Sequence, residues 1–185
     1  MPRKVKVDLS ELESAFNNAS EFDNRYFLDL ETGQVVMLTF DTRAQLESLY
    51  EELDWEDGNQ NPPLAELLQE RNLPEWQKQA LLEADQVEIG YGDRYIAVPQ
   101  ADSREAYRDM EAFIETVKDT DLQSRLWQAI SGRGAFHYFR DVLDDFPREK
   151  QRWYTFRDNR IRQRVLDWLE SEDIEPVVEP TGEEK

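Results

Sequence analysis

The sequence predicts an α+β protein in which a small antiparallel sheet from two β-hairpins precedes a mainly helical C-terminal half. Apolar and aromatic runs flank the Glu-Thr-Gly of residues 31–33, where the glycine can take the positive φ of a tight hairpin turn. Alternating residues on both sides of 90–93 predict the second hairpin. After Pro99, apolar residues recur at spacings of three and four, which is typical of helices.

The N-terminal half alternates between helices and hairpins. Asp8 or Ser10 caps a first helix, and the first hairpin follows in RYFLDLETGQVVMLTF. Breaker residues in DGNQNPP predict a loop before two short helices that begin near prolines. The spacing predicts helices at 42–55, 64–71 and 74–84, and the second hairpin in QVEIGYGDRYIAVP.

The C-terminal half predicts four helices. They begin at Asp102 or Ser103, near Asp121, after Gly134 and at Pro147, and the last one runs to about Glu170. We expect one domain over residues 1–176, with a helix and hairpin half at 1–99 and a helical half at 100–176. The acidic, proline-containing residues 177–185 predict a disordered tail.

Composition excludes several classes of site. The 185 residues contain no cysteine and one histidine, so neither a thiolate metal site nor a cysteine nucleophile is expected. We expect no metal and no cofactor. The longest apolar stretch is far shorter than the roughly 20 residues that cross a bilayer, and the N-terminus lacks the apolar run of a signal peptide. These features predict a cytoplasmic protein without a membrane partner.

The charge is large and uneven. Asp and Glu number 41 against 22 Lys and Arg, a net charge of −19 that repels nucleic acid at long range. The acidity has two interpretations, a functional surface or an adaptation to concentrated salt. The segment from Arg125 to Arg164 contains nine arginines and one lysine but only five acidic residues, so its net charge is +5. This segment is a candidate contact surface, or it folds against the acidic remainder.

Three stretches of the C-terminal half resemble a known bacterial family. They are YIAVPQADSREAYRDMEAFIETV, GRGAFHYFRDVL and RWYTFRDNRIRQRVLDWLESEDIEP, and the likeness covers about residues 94–176 together with YFLDLETGQV near the front. The family is known as uncharacterised protein family 0158. The resemblance implies no catalytic residue and no ligand, because the family has no assigned activity.

The stretch RGAFHYF partly matches the ribonucleoprotein motif of RNA-recognition domains. The match fails at Ala135 and Phe136, where an aromatic and a small residue should stand. A helical period joins four apolar residues, which we expect to anchor a helix in the core: Phe136, Phe139, Leu143 and Phe146. The pattern therefore favours a helix that begins after two glycines.

Two stripes of basic residues are the candidate binding residues. Arg133, His137 and Arg140 share one face of the third C-terminal helix. Arg157, Arg160 and Arg164 follow the last helix, near Trp153. If these helices pair side by side, the stripes line one groove that binds an anion by forked hydrogen bonds and stacking. The alternative is that these arginines pair with the protein's own carboxylates.

No catalytic motif is present: the sequence contains neither GxSxG, nor a phosphate loop, nor GxGxxG after a strand. We therefore predict a non-enzymatic interaction or regulatory module that contacts an unknown protein partner through its helical half. The first alternative is an anion- or nucleic-acid-binding protein that uses the arginine stripes. The second is an acidic mimic of nucleic acid. The oligomeric state is left open.

Overall fold

The computed structural model describes residues 2–18, 23–53, 64–100 and 102–177. These residues form two compact units: the first takes those within Met1–Gln100 and Asp173–Lys185, and the second those within Ala101–Glu172. Helices and a small antiparallel sheet confirm the predicted α+β class. Within the described ranges, no helix is both long and apolar enough to cross a membrane.

The first unit contains all of the described strands and four helices. In chain order the elements are β1 (Arg3–Lys6), α1 (Leu9–Asn18), β2 (Arg25–Asp29), β3 (Val35–Leu38), α2 (Phe40–Glu52), α3 (Leu64–Glu70), α4 (Glu75–Ile89), β4 (Tyr95–Ala97) and β5 (Ile174–Val177). The antiparallel sheet has the order β3-β2-β4. Residues of β2, β3, β4 and α2–α4 supply one of its cores, which includes Phe27, Leu46 and Leu81.

The first predicted hairpin is confirmed. Strands β2 and β3 pair antiparallel, with Phe27 opposite Val36. Gly33 has φ +76°, and a Cβ there would overlap the carbonyl oxygen of Lys6. Glycine is therefore required twice, once by the turn and once by the close approach of β1.

The predicted second hairpin is wrong. Helix α4 continues to Ile89 and buries Leu81, Ala84 and Val87, so the residues expected to form the first strand are helical. Only β4 forms, and it pairs with β2, with Leu28 opposite Ile96. The alternation in QVEI also fits one side of a helix, and packing of that side decides between the two structures.

A second sheet was not predicted. Strands β1 and β5 pair in parallel, with Arg3 opposite Ile174 and Val5 opposite Pro176. Val177 belongs to β5, which corrects the predicted start of the disordered tail, and residues 178–185 lie outside the described ones. The breaker loop and Trp55 of the predicted second helix also fall outside the described residues. A local sequence pattern cannot predict the pairing of two strands that are about 170 residues apart in the chain.

Asp29 joins the hairpin to β4. It is 4% exposed, and Arg94 donates from Nη2 to Oδ2 at 2.7 Å and from Nε to Oδ1 at 3.1 Å. The backbone N–H of Glu31 donates to the same carboxylate at 2.8 Å. Burial raises the pKa of Asp29, but the hydrogen bonds from Arg94 and from the turn outweigh it and lower the pKa to about 2.

The second unit is a set of four helices around one core. They are α5 (Ser103–Glu115), α6 (Thr120–Ile130), α7 (Ala135–Asp144) and α8 (Pro147–Ser171). Asp102 and Asp119 cap α5 and α6 by accepting backbone N–H bonds. The rings of Phe113, Phe139 and Trp153 meet edge to face, with Phe139 and Trp153 centroids 4.9 Å apart. This aromatic cluster holds α5, α7 and α8 together.

Candidate arginine and aromatic surface

The start of α7 determines which of its side chains face solvent. Gly134 has φ +78°, and a Cβ there would lie 3.1 Å from the Tyr138 ring. The helix begins at Ala135, and the row formed by Ala135, Phe139 and Leu143 is buried. The predicted core position of Phe136 is therefore wrong, because this ring lies beside the buried row and is 44% exposed.

The predicted stripe on α7 is exposed. His137 Nε2 lies 3.3 Å from Oδ2 of Asp141, one turn along the helix. Arg133 and Arg140 have no ion-pair partner within residues 2–18, 23–53, 64–100 and 102–177. Arg140 lies one turn after Phe136 on α7, whereas Arg133 precedes the helix, in the turn that ends at Gly134.

A depression of about 430 Å³ lies between α5 and α7. Phe136 lines it from α7, and Arg104, Tyr107 and Arg108 line it from α5, with Ser103 and Glu111 at its edge. Arg104 and Arg108 are exposed and, like the α7 arginines, form no ion pair within the described part of the chain. Tyr107 donates its hydroxyl to the carbonyl oxygen of Ile130 at 2.9 Å, which fixes its ring.

Arg104 and Arg108 were not among the binding residues predicted from the sequence. Both lie on α5, four residues apart and therefore on one face of the helix, while Met110, Phe113 and Ile114 are buried. Their spacing was visible in the sequence. The spacing does not show which residue lies next to them, because Phe136 reaches these two arginines only through the packing of α7 beside α5.

A second depression, of about 450 Å³, lies between α6 and α7. Tyr138, which is 53% exposed, lines it together with Arg125 and Arg133. Arg125 Nη2 lies 3.4 Å from Oδ2 of Asp145, and its guanidinium stands 5.4 Å from the centroid of the Phe146 ring. Arg125 on this side of α7 therefore has an internal counter-charge, whereas Arg104 and Arg108 on the α5 side form no ion pair with any residue that the structure describes.

The second predicted stripe pairs with the protein's own carboxylates. Arg160 Nε donates to Oδ1 of Asp109 at 3.0 Å, and Arg164 donates to Oδ2 of the same residue. Asp109 is 2% exposed, so it is a buried anion between two cations. Burial of a carboxylate is costly without such partners, which makes this contact a structural tie between α5 and α8.

Two further predicted site residues, Arg157 and Trp153, make contacts within the protein. Arg157 Nη2 donates to Oδ1 of Asp158 at 2.8 Å and lies over the Tyr154 ring. Trp153 is 7% exposed and packs in the core, so the prediction that it stacks on a ligand is wrong. Neither depression beside α7 contains an α8 arginine. The single groove expected between the two stripes is accordingly replaced by a surface formed from α5 and α7.

The geometry defines an α+β protein whose helical unit carries an exposed surface of arginine and aromatic side chains. The chain belongs to the family described as uncharacterised protein family UPF0158, whose sequence model matches residues 75–183. The predicted resemblance is confirmed, although the matched residues exclude the β2-β3 hairpin that the resemblance was thought to include.

Relatives of the chain occur in Pseudomonas and Chlamydia. The chain is 28% identical over 111 residues to a UPF0158 protein of Pseudomonas aeruginosa, covering 60% of this chain and 69% of that one. It is 28% identical over 88 residues to UPF0158 proteins of Chlamydia trachomatis and Chlamydia muridarum, covering 47% of this chain. The chain spans about a quarter of the length of the two chlamydial proteins, 27% and 26%. No solved structure matches the chain.

Proposed function

We propose that the protein is a non-enzymatic interaction module that contacts a protein partner through the exposed face of α7. One observation carries the proposal: Arg133, in the turn before α7, and Arg140, on α7, are exposed and form no ion pair within the described residues, and Phe136 at the start of the same helix exposes its ring. Carboxylates outnumber basic residues 41 to 22, so arginines without an internal partner are unexpected. Arginine and aromatic side chains are also the residues that protein interfaces favour.

A binding role fits this surface better than catalysis. His137 pairs with the exposed carboxylate of Asp141 rather than with a hydroxyl nucleophile. The absence of cysteine in the sequence fits action in the reducing cytoplasm, which we include in the proposal.

The experiment compares two doubly substituted proteins of equal charge. Arg133→Glu with Arg140→Glu reverses the α7 surface, and Arg3→Glu with Arg148→Glu reverses two exposed arginines elsewhere that also form no ion pair within the described residues. A partner captured by the tagged wild type is purified, and its binding is measured by calorimetry. We expect about a tenfold or greater loss for the α7 variant and less than about a twofold change for the control. Equal effects of the two variants would overturn the proposal.

The nucleic-acid alternative is tested with the same proteins. A single-stranded oligothymidylate is titrated at low and moderate salt, because phosphate contacts produce a steep dependence of affinity on salt. Because the protein's net charge of −19 repels phosphates, we expect the oligothymidylate to bind weakly. Tight, salt-dependent binding that disappears in the α7 variant would favour the alternative over a protein partner.

A further inference from the structure

Two arginines that form no ion pair within the described residues lie beside one exposed aromatic ring. Arg104 and Arg108 lie one turn apart on α5 and line the depression together with Phe136 of α7. Tyr107 also lines it, and its hydroxyl donates to the carbonyl oxygen of Ile130. Apolar ring surface therefore lies next to two guanidinium groups.

We propose that this depression receives an apolar side chain from an acidic peptide segment of the partner, while Arg104 and Arg108 bind carboxylates of that segment. The inference rests on the proposed function and deepens it by naming the partner's chemistry. Charge complementarity selects the acidic residues, because neither Arg104 nor Arg108 forms an ion pair within the described residues. The exposed part of Phe136 selects an apolar side chain, since covering it removes apolar surface from water.

The spacing of the arginines sets the length of the segment. Arg104 and Arg108 are separated by about one helical turn, roughly 6 Å. An extended peptide advances about 3.3 Å per residue, so two acidic residues two positions apart match the spacing of the two arginines. Glu111 lines the same depression and repels any anion there, whether peptide or nucleic acid, so the oligothymidylate competitor in the test below distinguishes the two ligands.

The test uses defined peptides and the full-length protein. The probe is a fluorescein-labelled peptide of about eleven residues, with a central phenylalanine between glycines and glutamate at the remaining positions. Two matched probes replace either the phenylalanine by serine or all glutamates by glutamine. Binding is measured by fluorescence anisotropy at low and physiological salt.

We expect the acidic phenylalanine peptide to bind in a salt-dependent manner, the serine peptide to bind about tenfold more weakly, and the glutamine peptide not to bind. Arg104→Gln with Arg108→Gln should weaken the acidic peptide about tenfold, and Arg3→Gln with Arg148→Gln should leave it unchanged. The inference is overturned if no peptide binds at millimolar concentration, if the serine peptide binds equally well, or if oligothymidylate displaces the peptide at lower concentration.

The same proteins separate this inference from the proposed function. If reversal of Arg133 and Arg140 abolishes partner binding while the α5 variant retains it, the proposed interaction function is supported and the peptide-binding inference is overturned. If neither variant affects partner binding, the proposed function is overturned as well.

Discussion

Asp109 on α5 accepts a hydrogen bond from Arg160 on α8 at 3.0 Å, and the carboxylate is almost completely buried while the guanidinium is half exposed. Arg164 donates to the other oxygen of Asp109. Arg160 and Arg164 looked like ligand-binding residues in the sequence because they share a helix face. Their partner lies more than 50 residues away, and it converts that face into a structural contact.

Replacement of Asp109 by Asn should destabilise the protein. The variant keeps the volume of the side chain but leaves two guanidinium groups without their carboxylate, and we expect a loss of about 2–3 kcal/mol in the free energy of unfolding. Asp158→Asn is the control, because its partner Arg157 and its own carboxylate are both substantially exposed. Its effect should stay within about 0.5 kcal/mol. Urea denaturation measures both, and equal losses would contradict a structural role for Asp109.

The Asp29 contact predicts a specific dependence on pH. Because the folded pKa of Asp29 is lowered to about 2, the contact stabilises the protein above the unfolded pKa, and the contribution is lost as pH falls from about 4 to about 2. Asp29→Asn should therefore be about 2 kcal/mol less stable than the wild type at pH 7. The difference should shrink on acidification, as measured by urea denaturation at each pH. A constant difference down to pH 2 would disprove the linkage.

Gly134 should resist substitution, whereas Gly132 should tolerate it. Alanine at Gly134 must adopt a positive φ and place its Cβ against the Tyr138 ring, so we expect a loss of about 1–2 kcal/mol. A Cβ at Gly132 meets no atom within 4 Å, and Gly132→Ala should change stability by less than about 0.5 kcal/mol. Thermal unfolding of the two variants makes the comparison. Similar melting temperatures would contradict the left-handed geometry at Gly134.

Two phenylalanines three residues apart should behave differently. Phe139 is 1% exposed and packs against Phe113 and Trp153, so Phe139→Ala should cost about 3–5 kcal/mol of stability. Phe136→Ala removes a ring that is 44% exposed and should cost less than about 1 kcal/mol. Denaturant titration distinguishes them. A large loss at Phe136 would show that its role is structural and would remove the centre of the proposed binding surface.

Much of the helical unit could be predicted from local patterns. The cap at Asp102, the glycines before α7 and the proline that starts α8 are signals that act within one turn of the chain, whereas the Asp119 cap of α6 was not predicted. The first hairpin was predicted for the same reason, since its glycine and flanking apolar runs are adjacent in sequence. Three of the candidate site residues, Arg133, His137 and Arg140, are exposed, although Arg133 precedes α7 rather than lying on it.

The sequence by itself determined the α+β class, the family and the positions of most helices, because periodicity and capping depend on residues only three or four apart. Tertiary structure decided the rest. Tertiary contacts pair β1 with β5 and β4 with β2. They also bring Arg160 and Arg164 into hydrogen-bond contact with Asp109, and they place the exposed Phe136 ring beside the arginines of α5. Each of these outcomes joins segments that are distant in the chain, and local spacing carries no information about which distant segment a side chain will meet.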